Sequence, residues 1–498
     1  MTEPRFQFLE VPGPHSVGLK VLEQFDYSRL YKGSSDAQGK PYKGERARPI
    51  QVLVWFPAEP STAKRMCVAD YVKLLETETS YGQPAISPAL RELSSAMRLN
   101  LADPLWAVRD APHLGGRFPV VVYAPSFSAP SWENADLCEY LASHGYVVLS
   151  SPSMGTATRS MTRDLGGIGA QAADVAFLIA LAHILPNADV TSIAAVGFSW
   201  GGMSSVFAAA RDDRIRALVA LDGSMRYFPG WIEQAADVNP EELEIPLLSF
   251  AQRHFSLEDH ERYSTAAERS GRNVLNAWKH GDVVNVHMLR LTHAEYSSMF
   301  QRNDDVWWKL SNVYPMMKAD FDRQDGSTGY AWLARYTRQF LDAYLKGSAA
   351  AKSFLKRTPA ENGVPKHHMA VEFREAAGPP ISFPQFKAKV GRVGFDETAR
   401  VYAEMKAIRA DFVPPEVTME CWGDELLASA HVAEAISVLR LNAQLHPFSS
   451  AACVRLGRAY EEAGHSDLAR DSYRKALELE PANGDARRGL MLMDRGAS

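Results

Sequence analysis

Cysteine is scarce in this chain. Cys67, Cys138, Cys421 and Cys453 are scattered over 498 residues without a CxxC pair, which excludes a disulfide framework and a thiolate zinc site. Fourteen histidines include no HExxH, so neither a metal nor a cofactor is called for. There is no basic stripe and the formal net charge is −5, which argues against nucleic acid as a main partner. The N-terminal MTEPRFQFLEVPG lacks a charged-then-apolar signal pattern. The most apolar helical stretch, 172–185, is short and carries Asp174 and His183, so no transmembrane segment is expected. The chain reads as cytoplasmic, or as secreted or periplasmic if a leader was trimmed.

What is present is organised around one stretch, 191–202 (TSIAAVGFSWGG). The apolar run Ile193-Ala194-Ala195-Val196 breaks into Gly197-Phe198-Ser199-Trp200-Gly201-Gly202 and then into the small-residue helix former beginning at Ser204. This reads as strand, sharp turn and helix. Gly-x-Ser-x-Gly in that setting puts a serine on a strained bend with its hydroxyl clear of the sheet, while the flanking glycines leave room for the neighbouring elements. The backbone N–H groups opening the helix face an oxyanion that would form there.

Around this turn, continuous apolar strands alternate with helices, the mark of a parallel sheet covered on both faces. The strands are Phe118–Tyr123, Gly145–Ser150, Ile193–Val196, Ala217–Leu221, Pro246–Phe250 and Asn285–Leu291. The helices are Trp132–His144, Ala170–Leu185, Met203–Ala210 and, closing the domain, Ala331–Lys346. An antiparallel pair, Val17–Phe25 and Ile50–Phe56, opens the sheet. The order is that of an α/β-hydrolase fold. It spans 1–375, with cap-like insertions at about 71–113, 225–244 and 299–330. The Gly167-Ile168-Gly169-Ala170-Gln171-Ala172 run fits a dinucleotide pattern, but no strand directly precedes it.

Pro379, Pro380 and Pro384 suggest a linker over 376–390, followed by an all-α domain over 391–498. Pro447 and Pro481 lie 34 residues apart, each ending a similar helix. Leu456-Gly457, Tyr460, Gly464, Ala469, Tyr473, Ala476 and Pro481 follow tetratricopeptide spacing; the preceding unit is a weaker copy with Met419 and Trp422 near its start. Such repeats offer an interface to a protein partner or to a second copy of the chain, although so short an array has little concave surface.

A nucleophilic serine needs a base, and the base an acid to orient it. In this fold the order is Ser, acid, His. Asp222 ends the strand after Ser199, whereas the rival acids Glu258 and Asp259 lie farther along a loop. His293 follows the last strand through Thr292; His280 and His287 compete, His287 from within the strand. The backbone N–H groups of Trp200 and Phe127 are the expected oxyanion donors, with Ser126 and Ser128 as alternatives to Phe127.

Together, the 120–127 and 141–148 runs, Gly197–Gly202, Leu221-Asp222 and Thr292-His293 resemble the platelet-activating-factor acetylhydrolase branch of the dienelactone-hydrolase-like α/β-hydrolases, over roughly residues 15–350. The resemblance implies Ser199 as nucleophile, Asp222 as orienting acid, His293 as base, and Phe127 and Trp200 as oxyanion donors. The chain departs from that family where His-Gly is usual and Pro125-Ser126 stands instead, and its appended repeats have no counterpart there. A carboxylic-ester hydrolase acting on a small-molecule substrate is the leading expectation. An amidase, peptidase or thioesterase on the same residues is the second. A scaffold working through its C-terminal repeats is the third.

Overall fold

In the computed structural model, residues 5–36, 38–81, 99–252, 264–303 and 321–495 are described. The chain divides into two units, Met1–Gly378 and Pro379–Ser498.

In the first unit, eleven strands among the described residues form one sheet. They are β1 (Ser16–Leu30), β2 (Ala47–Ala58), β3 (Arg65–Cys67), β4 (Pro104–Arg109), β5 (Phe118–Ala124), β6 (Val147–Ser150), β7 (Ala188–Phe198), β8 (Ile215–Leu221), β9 (Leu247–Gln252), β10 (Val283–Met288) and β11 (Met369–Arg374). Their spatial order is β11-β10-β9-β8-β7-β5-β6-β2-β1-β4-β3. The run from β6 through β5, β7, β8 and β9 to β10 is parallel, and β2 and β11 flank it antiparallel. Alternate residues of each central strand enter opposite cores. On one face Val121 and Tyr123 pack with helices α1 (Ala135–Ser143) and α4 (Arg323–Tyr344); on the other, Val120 and Val122 pack with α2 (Leu165–Ala182) and α3 (Trp200–Arg211). Burial on both faces is why these strands are apolar throughout.

Four expectations need correction. Residues 104–109 of the supposed insertion are strand β4, parallel to β1 and antiparallel to β3, and so belong to the sheet. Segment 225–244 is in part core rather than cap: Met225, Tyr227, Ile232, Val238 and Leu243 are buried, between exposed residues such as Glu233, Gln234 and Asp237. Helix α2 begins at Leu165 and reaches 18 residues, long and apolar enough by composition to cross a membrane, but 56 % of it is buried. Finally, the linker contains helix α5 (Phe383–Val393), capped by Ser382 and burying Phe386 and Val390. Pro384 sits in its first turn, where a missing N–H costs nothing, so it marks a helix start. Strand β11 was not foreseen either. Trp307, Trp308, Tyr314, Met316 and Met317 of the third insertion lie outside the described residues.

The second unit continues with α6 (Thr398–Ile408), α7 (Glu416–Ala428), α8 (Val432–Leu445), α9 (Ser450–Glu462), α10 (Ser466–Leu479) and α11 (Gly484–Arg495). The tetratricopeptide spacing has a direct cause. The Tyr473 ring lies between Gly457 and Gly489, where an added Cβ would come within 2.8 and 2.5 Å of it. Met419 and Trp422 of the weaker copy are buried with Phe386 and Val390 instead.

A buried ion pair ties α2 to the sheet. Arg48 on β2 donates from Nε and Nη2 to the two Asp174 oxygens at 2.7 and 2.6 Å, and from Nη1 to the Gly155 carbonyl at 2.5 Å. Without Arg48, buried Asp174 keeps Arg29 Nη2 at 2.7 Å but loses two charged hydrogen bonds, so Arg48→Ala should cost about 1.5–3 kcal/mol. Urea unfolding is the check; a midpoint equal to wild type would contradict this.

Candidate active site

Ser199 stands between the last residue of β7 and the first of α3, at φ 53° and ψ −115°. A non-glycine residue adopts this backbone only under constraint. Here the Ser199 N–H donates to the Leu221 carbonyl at 3.0 Å, and the Ser199 carbonyl accepts from Ser224 N–H at 2.8 Å and Gly202 N–H at 3.0 Å. The turn is thereby pinned to the end of β8. Close packing requires its glycines: a Cβ on Gly201 would stand 2.0 Å from the Ala124 carbonyl oxygen, and one on Gly197 2.3 Å from that of Gly201.

His293 opens a single 3-10 turn, His293–Tyr296, just beyond β10. The Thr292 N–H donates to the Glu295 carboxylate at 2.5 Å, so Glu295 serves as a capping residue. His293 Nε2 lies 2.8 Å from Ser199 Oγ, and Nδ1 lies 2.5 Å from Asp222 Oδ2. Asp222, fully buried at the end of β8, uses its other oxygen to accept from the Tyr227 hydroxyl at 2.5 Å and the Gln252 N–H at 3.0 Å. Burial and the adjacent carboxylate push the Tyr227 phenol well above its ordinary value, so it remains a donor. Of the competing histidines, His280 Nδ1 meets the Gly378 carbonyl and His287 Nε2 meets Arg226 Nη2; Glu258 and Asp259 lie outside the described residues.

Phe127 sits in the turn after β5, 44 % exposed, its ring edge-on to that of Trp200 at 5.7 Å. Trp200, as the first residue of α3, has an N–H without an acceptor in its own helix. The Ser126 N–H is already committed to Glu133 Oε2 at 2.8 Å, which weakens the Ser126 alternative. Ser128 stands at φ 58°, its hydroxyl accepting from the Met161 N–H at 2.8 Å. The loop is clamped from outside: Gln171 Nε2 donates to the Pro125 carbonyl at 2.7 Å, and Arg159 to the Ser128 and Ala129 carbonyls at 3.1 and 3.2 Å. Arg159 is in turn paired with buried Glu78 at 2.6 Å. Tyr227, Glu133, Arg159 and Gln171 have no motif in the sequence, because their side chains meet their partners only across the folded turns.

Among the described residues, no three His, Cys, Asp or Glu side chains cluster as a metal site. The glycine run at 167–169 lies in the first turn of α2, where Asp164 Oδ1 already accepts the Gly167 N–H at 2.7 Å. A phosphate would meet that carboxylate.

A family model described as the alpha/beta hydrolase fold matches residues 119–303, and one for the tetratricopeptide repeat matches 450–483. No curated protein matches the chain. Among solved structures it is similar to a ferulic acid esterase from Streptomyces cinnamoneus, at 20 % identity and a TM-score of 0.50, over 74 % of this chain and 99 % of that one. At that identity the likeness speaks for the fold alone. The protein therefore has an α/β-hydrolase fold followed by a helical region with a tetratricopeptide repeat.

Gly201→Ala tests the close packing. It should destabilise the fold by about 3 kcal/mol or more through overpacking. Wild-type thermal stability in the variant would show that β5 and α3 are not in contact.

Proposed function

We propose that the protein is a serine hydrolase that cleaves a carboxylic ester through an acyl-enzyme. The observation that carries this reading is the single hydrogen-bonded line from Ser199 Oγ through His293 to Asp222. His293 Nε2 takes the Ser199 proton as Oγ attacks the ester carbonyl, and Asp222 holds the Nδ1–H tautomer and favours the imidazolium. The Trp200 and Phe127 N–H groups receive the oxyanion, and the alcohol departs with the proton from His293. Water, deprotonated by the same histidine, then attacks the acyl-enzyme, and Ser199 recovers a proton as the acid is released.

The exposed Phe127 ring, edge-on to that of Trp200, offers an apolar surface that suits an apolar acyl or aryl ester. The resemblance to acetylhydrolases of the dienelactone-hydrolase-like branch supports an ester, as does an esterase among the proteins of the same fold. For the helical unit we infer attachment to another protein or a second copy of the chain. Its groove lined by Arg455, Arg458, Tyr473, Asn483, Arg488 and Leu492 supports this.

Fluorophosphonate labelling with peptide mapping tests the chemistry. One adduct on Ser199 is expected, absent in Ser199→Ala and slowed by about 10⁴-fold in His293→Ala. No adduct on Ser199 would end the serine-hydrolase reading. A matched panel of ester, thioester and amide then identifies the leaving group. Deleting residues 379–498 should leave the labelling rate within about twofold, as expected of an independently folded neighbour. A larger loss would tie the helical unit to the chemistry.

A further inference from the structure

The residue Glu133, just ahead of α1, is fully buried and joins two halves of the site. Its Oε2 accepts from the Ser126 N–H at 2.8 Å and the Tyr123 hydroxyl at 3.3 Å, and its Oε1 accepts from the Ser126 hydroxyl. Its backbone carbonyl accepts from the Met299 N–H at 3.0 Å and the Ser297 hydroxyl at 2.9 Å, in the segment that follows His293. Asn134 repeats the bridge: its side-chain amide donates to the Tyr296 carbonyl and the Tyr123 hydroxyl, and its oxygen accepts from the Ser298 N–H. Among the described residues, no arginine or lysine pairs with Glu133. A buried carboxylate without a cation is expensive unless the donors around it are held for it. Two of these donors belong to the residue next to Phe127.

We propose, building on the serine-hydrolase reading, that Glu133 is a positioning residue: its ionised carboxylate holds Ser126, and with it the Phe127 peptide, in place for the oxyanion, and its charge favours the imidazolium on His293. An ionised carboxylate only accepts, so it satisfies all three donors at once. Once protonated, it must direct one O–H outward, and the Ser126 hydroxyl must turn or lose its partner. The loop then keeps its fold but loses its fixed height above Ser199.

This device works in the neutral range. Burial raises Glu133 from the ordinary carboxylate value to about 7, against the opposing pull of the Ser126 and Tyr123 hydrogen bonds and the charge of His293. The groups facing it are Tyr123 from β5, Cys138 from α1 and His293 from the turn after β10, with Tyr330 of α4 reaching Asn134. Burial pushes Tyr123, Cys138 and Tyr330 well above their ordinary values, so all three stay neutral while Glu133 titrates. The active form is the ionised one, so reactivity rises with pH through about 7.

The rate of fluorophosphonate labelling at Ser199, followed from pH 5 to pH 9 in the full chain, decides the matter. Glutamine mimics the protonated acid. Glu133→Gln should therefore react about tenfold more slowly than wild type above pH 8 and converge on it below pH 6. A merely structural role would leave a ratio that does not change with pH, and that result overturns the proposal. If Glu133→Gln does not fold, Ser126→Ala decides: removing one donor to the carboxylate should move the inflection to higher pH, and an unmoved inflection overturns the proposal. Wild type that never labels on Ser199 removes the serine-hydrolase reading and this inference together. Normal labelling with a constant ratio removes this inference alone.

Discussion

One contact governs the geometry of the whole site: the Cα of Gly201 against the backbone oxygens of Ala124 and Pro125. A Cβ at that position would lie 2.0 Å from the first and 2.6 Å from the second. The contact brings the start of α3 against the end of β5, and so sets the distance between the residue after the serine and the loop that carries Phe127. Two N–H groups from separate parts of the chain can converge on one oxygen only if that distance is fixed. Ser199, one turn away, is held at positive φ by its own hydrogen bonds to Leu221, Gly202 and Ser224. The placement of Ser199 and the placement of the loop are therefore linked.

The strain this creates is concentrated. Among the described residues, six non-glycine positions have positive φ, and three of them, Ser128, Ser199 and Asp222, belong to the site. Each costs on the order of 1–3 kcal/mol and persists only where its surroundings over-determine it. Ser199 is held by three backbone hydrogen bonds, Asp222 by Tyr227, Gln252 and His293, and Ser128 by Met161 and Arg159. The buried charges follow a related division. Asp174 and Glu78 are neutralised by arginines and brace loops, whereas Asp222 and Glu133 have no arginine or lysine and are both coupled to His293. Glu139, also buried among neutral partners, is held instead by the Tyr71 hydroxyl and the Trp106 and Ala107 N–H groups, away from His293.

The parts readable from sequence were those where local pattern and tertiary role coincide. Phe118–Tyr123 and Ala217–Leu221 are apolar at every position because both faces are covered; Ser199 and Asp222 each follow directly from a strand whose end is visible in the pattern, and His293 stands in the turn beyond the end of β10. Strand β11 was missed because it is an edge strand: Met369, Val371 and Phe373 alternate with Ala370, Glu372 and Arg374, a half-buried pattern easily read as loop. Helix α5 is hidden in the sequence because Pro384, which stands in its first turn, reads as a linker residue beside Pro379 and Pro380. Glu133, Arg159 and Gln171 carry no local signature at all. Their partners are carbonyls and N–H groups of residues 125–129, and such contacts exist only once the chain has folded.

The loop itself explains why those three residues are needed. The loop opens with Pro125-Ser126, and its left-handed residue is Ser128 rather than a glycine. A glycine relaxes into a positive-φ turn unaided; a serine does so at a cost and must be compensated. The compensation comes from outside the loop: Gln171 on the Pro125 carbonyl, Glu133 on both donors of Ser126, and Arg159 on the carbonyls of Ser128 and Ala129. Proline in turn fixes its own φ and offers no N–H, so only its carbonyl can be held, and it is. The shape that glycine would have left to the loop is written here into α2, the segment before α1 and the segment after β6, so the loop responds to the protonation of a group it does not contain.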